Sequence, residues 1–180
     1  MTERTKERNI YLVGFMGTGK TTVGKALAEM LGWRFVDMDA ELEKEQGMSI
    51  PEIFASRGEP HFRKLEAELL ERIGGGTNQA VSTGGGAVLA EANRAVMLRT
   101  GFVAALKADA GTIIERVRGD ANRPLLAGNV EERVKRLLEE RKNAYDFADC
   151  SVDTAGRSPG DIAAEILAFR QEALGLPGKA

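Results

Sequence analysis

Between Asn9 and Gly32 the chain reads NIYLVGFMGTGKTTVGKALAEMLG, and this stretch constrains the fold more than any other. Asn9 to Phe15 is a short apolar run that ends in a glycine-rich polar turn, the pattern of a buried strand. From Lys20 onward Val23, Ala26, Leu27, Met30 and Leu31 recur at helical spacing, and Gly32 supplies a stop. The alternation then continues. RFVDMD predicts a second strand, followed by helices over Ala40–Gln46, Ile50–Ser56 and Glu59–Ile73, separated by Gly47 and Gly58. Ala80–Ser82, Phe102–Leu106 and Cys150–Val152 read as further strands, and Ala90–Arg99, Thr112–Arg118, Val130–Tyr145 and Pro159–Ala173 as further helices. Such alternation predicts an α/β fold, a parallel sheet covered by helices on both faces. A length of 180 residues fits one domain, with no repeat, low-complexity tract or linker and a frayed tail at LGLPGKA.

The turn after the first strand carries chemistry. Gly14, Gly19, Lys20 and Thr21 fit G-x-x-x-x-G-K-[ST], with a strand before and an amphipathic helix after. Gly17, Thr18, Gly19 and the first helical residues Lys20, Thr21 and Thr22 would wrap amides around phosphate oxygens, aided by the helix amino terminus. Lys20 would bridge the β- and γ-phosphates and Thr21 would place its hydroxyl on Mg²⁺. ATP or GTP binding follows, and switch GTPases, ATPases and small-molecule kinases all remain open. DTAG at Asp153 to Gly156 matches the D-x-x-G of GTPases but follows the last strand, and no N-K-x-D tetrapeptide occurs, so it reads as a turn.

Charged residues sit where apolar ones are expected. Val130, Val134, Leu137, Leu138 and Tyr145 form one stripe on which Arg141 also falls. Phe62, Leu65, Leu69 and Ile73 define a face shared by Glu66 and bordered by Arg63, which can pair three residues apart. A guanidinium on an apolar face needs an anion, so an acidic second ligand is one expectation and surface salt bridges or snorkelling the other. Asp37 and Asp39 end the second strand at the sheet's carboxyl edge, pointing the same way if the strand continues, where one would hold the metal through water and the other orient or deprotonate a hydroxyl; helix capping by Asp39 competes with that role. RGDANRPLLAG, with Arg118 and Arg123, is too long for a simple connection and suggests a lid.

Two glycine triplets differ in position. Gly74 to Gly76 follow a helix and read as a left-handed cap, whereas Gly84 to Gly86 follow a strand at the edge where open α/β sheets bind ligands. His61 reads as a helix-surface residue. Cys150, the only cysteine, reads as core, and a single cysteine forms no internal disulfide, which fits a reducing cytoplasm. A net charge of −2 gives no reason to expect nucleic acid, and the polar amino terminus and absence of a long apolar run argue against a signal peptide or membrane insertion.

Taken in order, GFMGTGKTT, FVDMD, GMSIPEIFASRGEPHFRKLE, STGGGAV, RPLL, ERKNAYDFAD and GRSPGDIA resemble the shikimate kinases, a family among the nucleoside-monophosphate-kinase-like P-loop kinases. The resemblance spans about residues 9 to 170. It implies a three-layer fold whose five parallel strands run in the order 2-3-1-4-5, and transfer of the γ-phosphoryl group of ATP to the 3-hydroxyl of shikimate on the route to aromatic amino acids. Asp39 would contact ring hydroxyls and act as base, Arg63 and Arg141 would clamp the carboxylate, and Gly84, Gly85 and Gly86 would bring amides against the substrate. Asp37 would hold Mg²⁺ through water, Arg123 would be the lid arginine, and Arg116, Arg157 and Pro159 would frame adenine. The resemblance divides the chain into a core of 9–39, 74–115 and 130–173, a shikimate-binding insert of 40–73 and a lid of 116–129, in a cytoplasmic monomer. A kinase for another small acid such as gluconate, and a nucleotide-dependent switch, are the alternatives.

Overall fold

The computed structural model describes residues 5–118 and 129–177. Among them five strands form one parallel sheet: β1 (Asn9–Gly14), β2 (Arg34–Asp37), β3 (Gln79–Ser82), β4 (Phe102–Lys107) and β5 (Cys150–Asp153), in the order β2-β3-β1-β4-β5. This is the order that the resemblance implied. The helices are α1 (Lys20–Leu31), α2 (Met38–Gln46), α3 (Ile50–Arg57), α4 (Glu59–Gly74), α5 (Glu91–Thr100), α6 (Ala110–Val117), α7 (Val130–Glu140) and α8 (Pro159–Ala173).

Register places Tyr11 between Val81 and Val103, so β1 is central, and all six of its residues are buried. A strand covered on both faces has no reason to alternate in polarity, which explains the unbroken apolar run. Its side chains do alternate in destination. Ile10 and Leu12 pack with Val23 and Leu27 of α1 and with Ile162 and Ile166 of α8. Tyr11 and Val13 face the other layer, which includes Leu42, Phe62, Leu70, Met97, Ile113 and Val134. No helix of the described residues is long and apolar enough to cross a membrane.

Three local expectations are corrected. β2 stops at Asp37 and α2 starts at Met38, two residues before Ala40, because Asp37 caps the helix by accepting from the Ala40 amide at 3.1 Å. Asp37 and Asp39 therefore do not share a strand face, and the capping residue is Asp37 rather than Asp39. α7 ends at Glu140, not at Tyr145, and Arg141 starts a run of turns. The first glycine triplet makes no left-handed cap: Gly75 has φ −71° and ψ −20°. A Cβ on Gly74 would instead lie 3.1 Å from Val96 Cγ1 and 3.2 Å from Thr100 Cγ2, so this glycine permits close packing of α4 on α5. The left-handed residue in that connection is Asn78, φ 57°.

Candidate active site

The turn between β1 and α1 is held by backbone angles that few side chains tolerate. Gly14 has φ 149°, and a Cβ there would lie 2.5 Å from the Leu106 carbonyl oxygen, while Gly19 has φ 94°. Thr18 closes the loop by donating from Oγ1 to the Phe15 carbonyl at 2.7 Å. Asp37, Ser49, Asp109, Asn129 and Ser158 supply side-chain caps to α2, α3, α6, α7 and α8. Helix α1 has Gly19 at that position, with no side-chain cap and no acid in its first turn. Its leading amides and partial positive charge are thus available to an anion. Lys20 Nζ is buried in the loop, donating to the carbonyls of Gly14 at 2.7 Å and Phe15 at 3.0 Å. Thr21 Oγ1 donates to Asp37 Oδ2 at 3.2 Å.

A cavity of about 530 Å³ opens at this loop, a size suited to small-molecule ligands. Its lining brings Gly17 to Thr22 together with Arg116, Thr154, Arg157 and Pro159 and with Asp37, Asp39 and Gly85. Arg116 donates to the Gly17 carbonyl at 2.9 Å and to Thr154 Oγ1 at 3.4 Å, tying α6 to the phosphate loop. Arg157 pairs with Glu165 at 2.6 Å and donates to the Asp153 carbonyl at 3.1 Å. Thr154 was missed at the sequence level because DTAG reads as a plain turn. Its position just past a strand's carboxyl end was the available signal. Arg123 lies outside the described residues.

Arg63, Gly84, Gly86 and Arg141 do not line that cavity; they adjoin it through Asp39 and Gly85. Arg63 Nη1 donates to Glu66 Oε1 at 2.9 Å, and Nη2 to Glu59 Oε1 at 3.3 Å. Glu66 is fully buried, and its Oε2 has no hydrogen-bond partner among the described residues. Buried Arg141 has no hydrogen-bond partner for Nη1 among the described residues and carries its guanidinium 5.8 Å from the Phe15 ring centroid. The second glycine triplet makes room for these charges. A Cβ on Gly84 would lie 2.8 Å from Glu66 Oε2 and 3.2 Å from Asp39 Oδ1, and one on Gly86 would run into the Arg63 guanidinium. None of the three glycines has a left-handed φ, so close approach accounts for Gly84 and Gly86, whereas a Cβ on Gly85 would meet its neighbours at ordinary contact distance.

A buried guanidinium with an unfilled N–H costs stability unless an anion completes it. The cluster is thus suited to accept an acid next to a polyphosphate site. Burial pushes the Glu66 carboxyl above the usual carboxylate range; Arg63 opposes the shift and Asp39 adds to it. The folded state then holds a proton that the unfolded chain loses near pH 4.5, and stability declines as pH rises from there through the folded pKa. Glu66→Gln removes this slope. In calorimetric scans from pH 4.5 upward the wild-type Tm should fall relative to the variant; parallel curves would show that Arg63 fully offsets the burial.

A loop shaped to hold polyphosphate, opening within one cavity onto a place for a second, acidic molecule, is the plan of a P-loop kinase acting on small molecules. The family model for shikimate kinase matches residues 16–171. The chain is 51% identical over 160 residues to the shikimate kinase of Persephonella marina, covering 89% of this chain and 97% of that one. It is 48% identical over 166 residues to the shikimate kinase of Geobacter sulfurreducens, covering 92% of each. The solved shikimate kinase from Acinetobacter baumannii in complex with shikimate superposes with a TM-score of 0.89 at 37% identity, covering 99% of this chain and 100% of the other. The chain belongs to the shikimate kinase family.

Proposed function

We propose that the protein transfers the γ-phosphoryl group of ATP to the 3-hydroxyl of shikimate, yielding ADP and shikimate 3-phosphate on the route to aromatic amino acids. The observation that carries this is the continuity of the phosphate loop with Asp39 and Gly85, backed by a buried arginine whose Nη1 has no partner among the described residues. The carboxylate of shikimate would engage Arg63 and Arg141, with the ring against the amides of Gly84, Gly85 and Gly86 and a hydroxyl at Asp39. Lys20 would exchange its carbonyl partners for β- and γ-phosphate oxygens. Arg116, Arg157 and Pro159 would frame adenine, and Arg123 on the 116–129 lid would close over the phosphates, with 40–73 serving as the shikimate-binding insert.

Thr21 and Asp37 present two hard oxygens 3.2 Å apart beside the loop, a donor set that fits Mg²⁺, with Thr21 bound directly and Asp37 through water. When bound, the ion neutralises phosphate charge. In the transfer step the substrate oxygen forms its bond to phosphorus as the bridging β–γ bond breaks, the electron pair leaves with ADP, and Asp39 orients the hydroxyl and accepts its proton. We place this reaction in a cytoplasmic monomer.

The test is ADP release by the purified protein with MgATP and shikimate, quinate, gluconate or no acceptor, with mass detection of products. Shikimate-dependent release with one added phosphoryl group is expected. Release independent of acceptor, or a preference for gluconate, would overturn the proposal.

A further inference from the structure

Tyr145 is not part of the cavity lining, yet its hydroxyl is placed between two parts of the acid cluster. The residue is buried, and its Oη donates to the Gly85 carbonyl at 3.0 Å. The Arg141 guanidinium lies beside the same loop, where a Cβ on Gly85 would come within 3.9 Å of its Nη1; burial pushes the phenol pKa up, while the nearby Arg141 pulls it the other way. The hydroxyl therefore ties down the loop after β3 at the point where that loop passes the cation after α7. Neither Gly85 nor Arg141 sits within a helix or strand to hold it. Gly85 in turn lies against the phosphate loop, where a Cβ on it would come within 3.4 Å of the Met16 amide nitrogen and 3.8 Å of the Gly14 carbonyl oxygen. A buried tyrosine ordinarily finds some hydrogen-bond partner; this one finds the carbonyl of a loop that passes Arg141.

We propose that Tyr145 is a positioning residue that fixes Arg141 and the Gly85 backbone as one unit, so that cation and loop are in place before the acid arrives. This rests on the assignment of Arg141 as a carboxylate ligand. Preorganisation of this kind lowers the cost of binding and should act on acceptor affinity more than on the chemical step.

Tyr145→Phe removes one oxygen and keeps the ring. The expected result is a rise of about five- to tenfold in the KM and dissociation constant for shikimate, with kcat and the KM for ATP unchanged. A shikimate KM equal to wild type overturns the proposal. So does a parallel loss of kcat and both affinities with a Tm drop beyond about 5 °C, the signature of a tyrosine that only fills the core. The ¹H–¹⁵N spectrum of the protein without ligands reads the tie separately. The Gly86 amide, which shares a peptide group with the Gly85 carbonyl, and Arg141 Nε should shift together in Tyr145→Phe. Unmoved resonances overturn the proposal whichever acid the wild type uses, whereas a wild-type protein inactive with shikimate, but with both resonances shifted in the variant, refutes the functional assignment and leaves the tie standing.

Discussion

Arg141→Ala will raise the KM for shikimate at least about thirtyfold and leave the KM for ATP unchanged. Arg141 is buried and carries an N–H with no partner among the described residues, so the folded protein already bears the cost of desolvating a cation that the substrate carboxylate would complete. Lysine will not restore the loss, because it lacks the planar fork. Arg63→Ala should weaken shikimate binding comparably but also lower Tm, since it strips the fully buried Glu66 of a 2.9 Å ion pair. The double variant Arg63→Ala/Glu66→Gln separates these effects: Tm recovers and the shikimate KM does not. Steady-state kinetics with each substrate varied provides the check. Equal losses of affinity for both substrates would remove the two arginines from the carboxylate clamp.

Lys20→Ala will lower kcat by at least about a hundredfold, the scale expected when one preorganised group is removed from developing charge. Lys20 is held inside the loop by two backbone carbonyls, at the uncapped start of α1, so its ammonium adds to the helix charge in the same place. Shikimate binding without nucleotide, measured by calorimetry, should change much less than turnover, because the carboxylate would be held by Arg63 and Arg141, and Arg63 is itself positioned by Glu59 and Glu66. Turnover within about threefold of wild type would assign the phosphate charge to the loop amides and helix terminus alone.

How far the sequence reveals this protein varies with the range of the interactions involved. The phosphate loop was legible because its requirements are local: glycine where φ is positive, a lysine and a threonine opening the helix, an apolar run before them. The strand pattern was legible for the same reason. Boundaries beside the site were less so. Asp37 leaves its strand to cap α2, which carries Asp39 into a helical turn, and α7 stops one residue before Arg141 although the apolar stripe runs on. Arg63, Glu66 and Arg141 stood out as charges on apolar faces, and the structure buries Glu66 and Arg141. The hydroxyl of Tyr145 was invisible, since its carbonyl partner lies 60 residues away and the ring satisfies an apolar stripe by itself. The first glycine triplet misled for a related reason, because its need for glycine comes from α5, a neighbour that helix-end patterns do not mention.

The two halves of the site also differ in when they can exist during synthesis. The loop proposed to hold nucleotide comes from a single strand–turn–helix near the amino terminus, whereas the acid cluster gathers Asp39 from α2, Arg63 and Glu66 from α4, the glycines after β3, and Arg141 and Tyr145 after α7. Contacts of such separation form only after long loops have closed. Recognition of the acceptor is accordingly a late property of the folding chain, and shikimate-dependent turnover reports completion of the whole domain rather than the presence of its nucleotide-binding end.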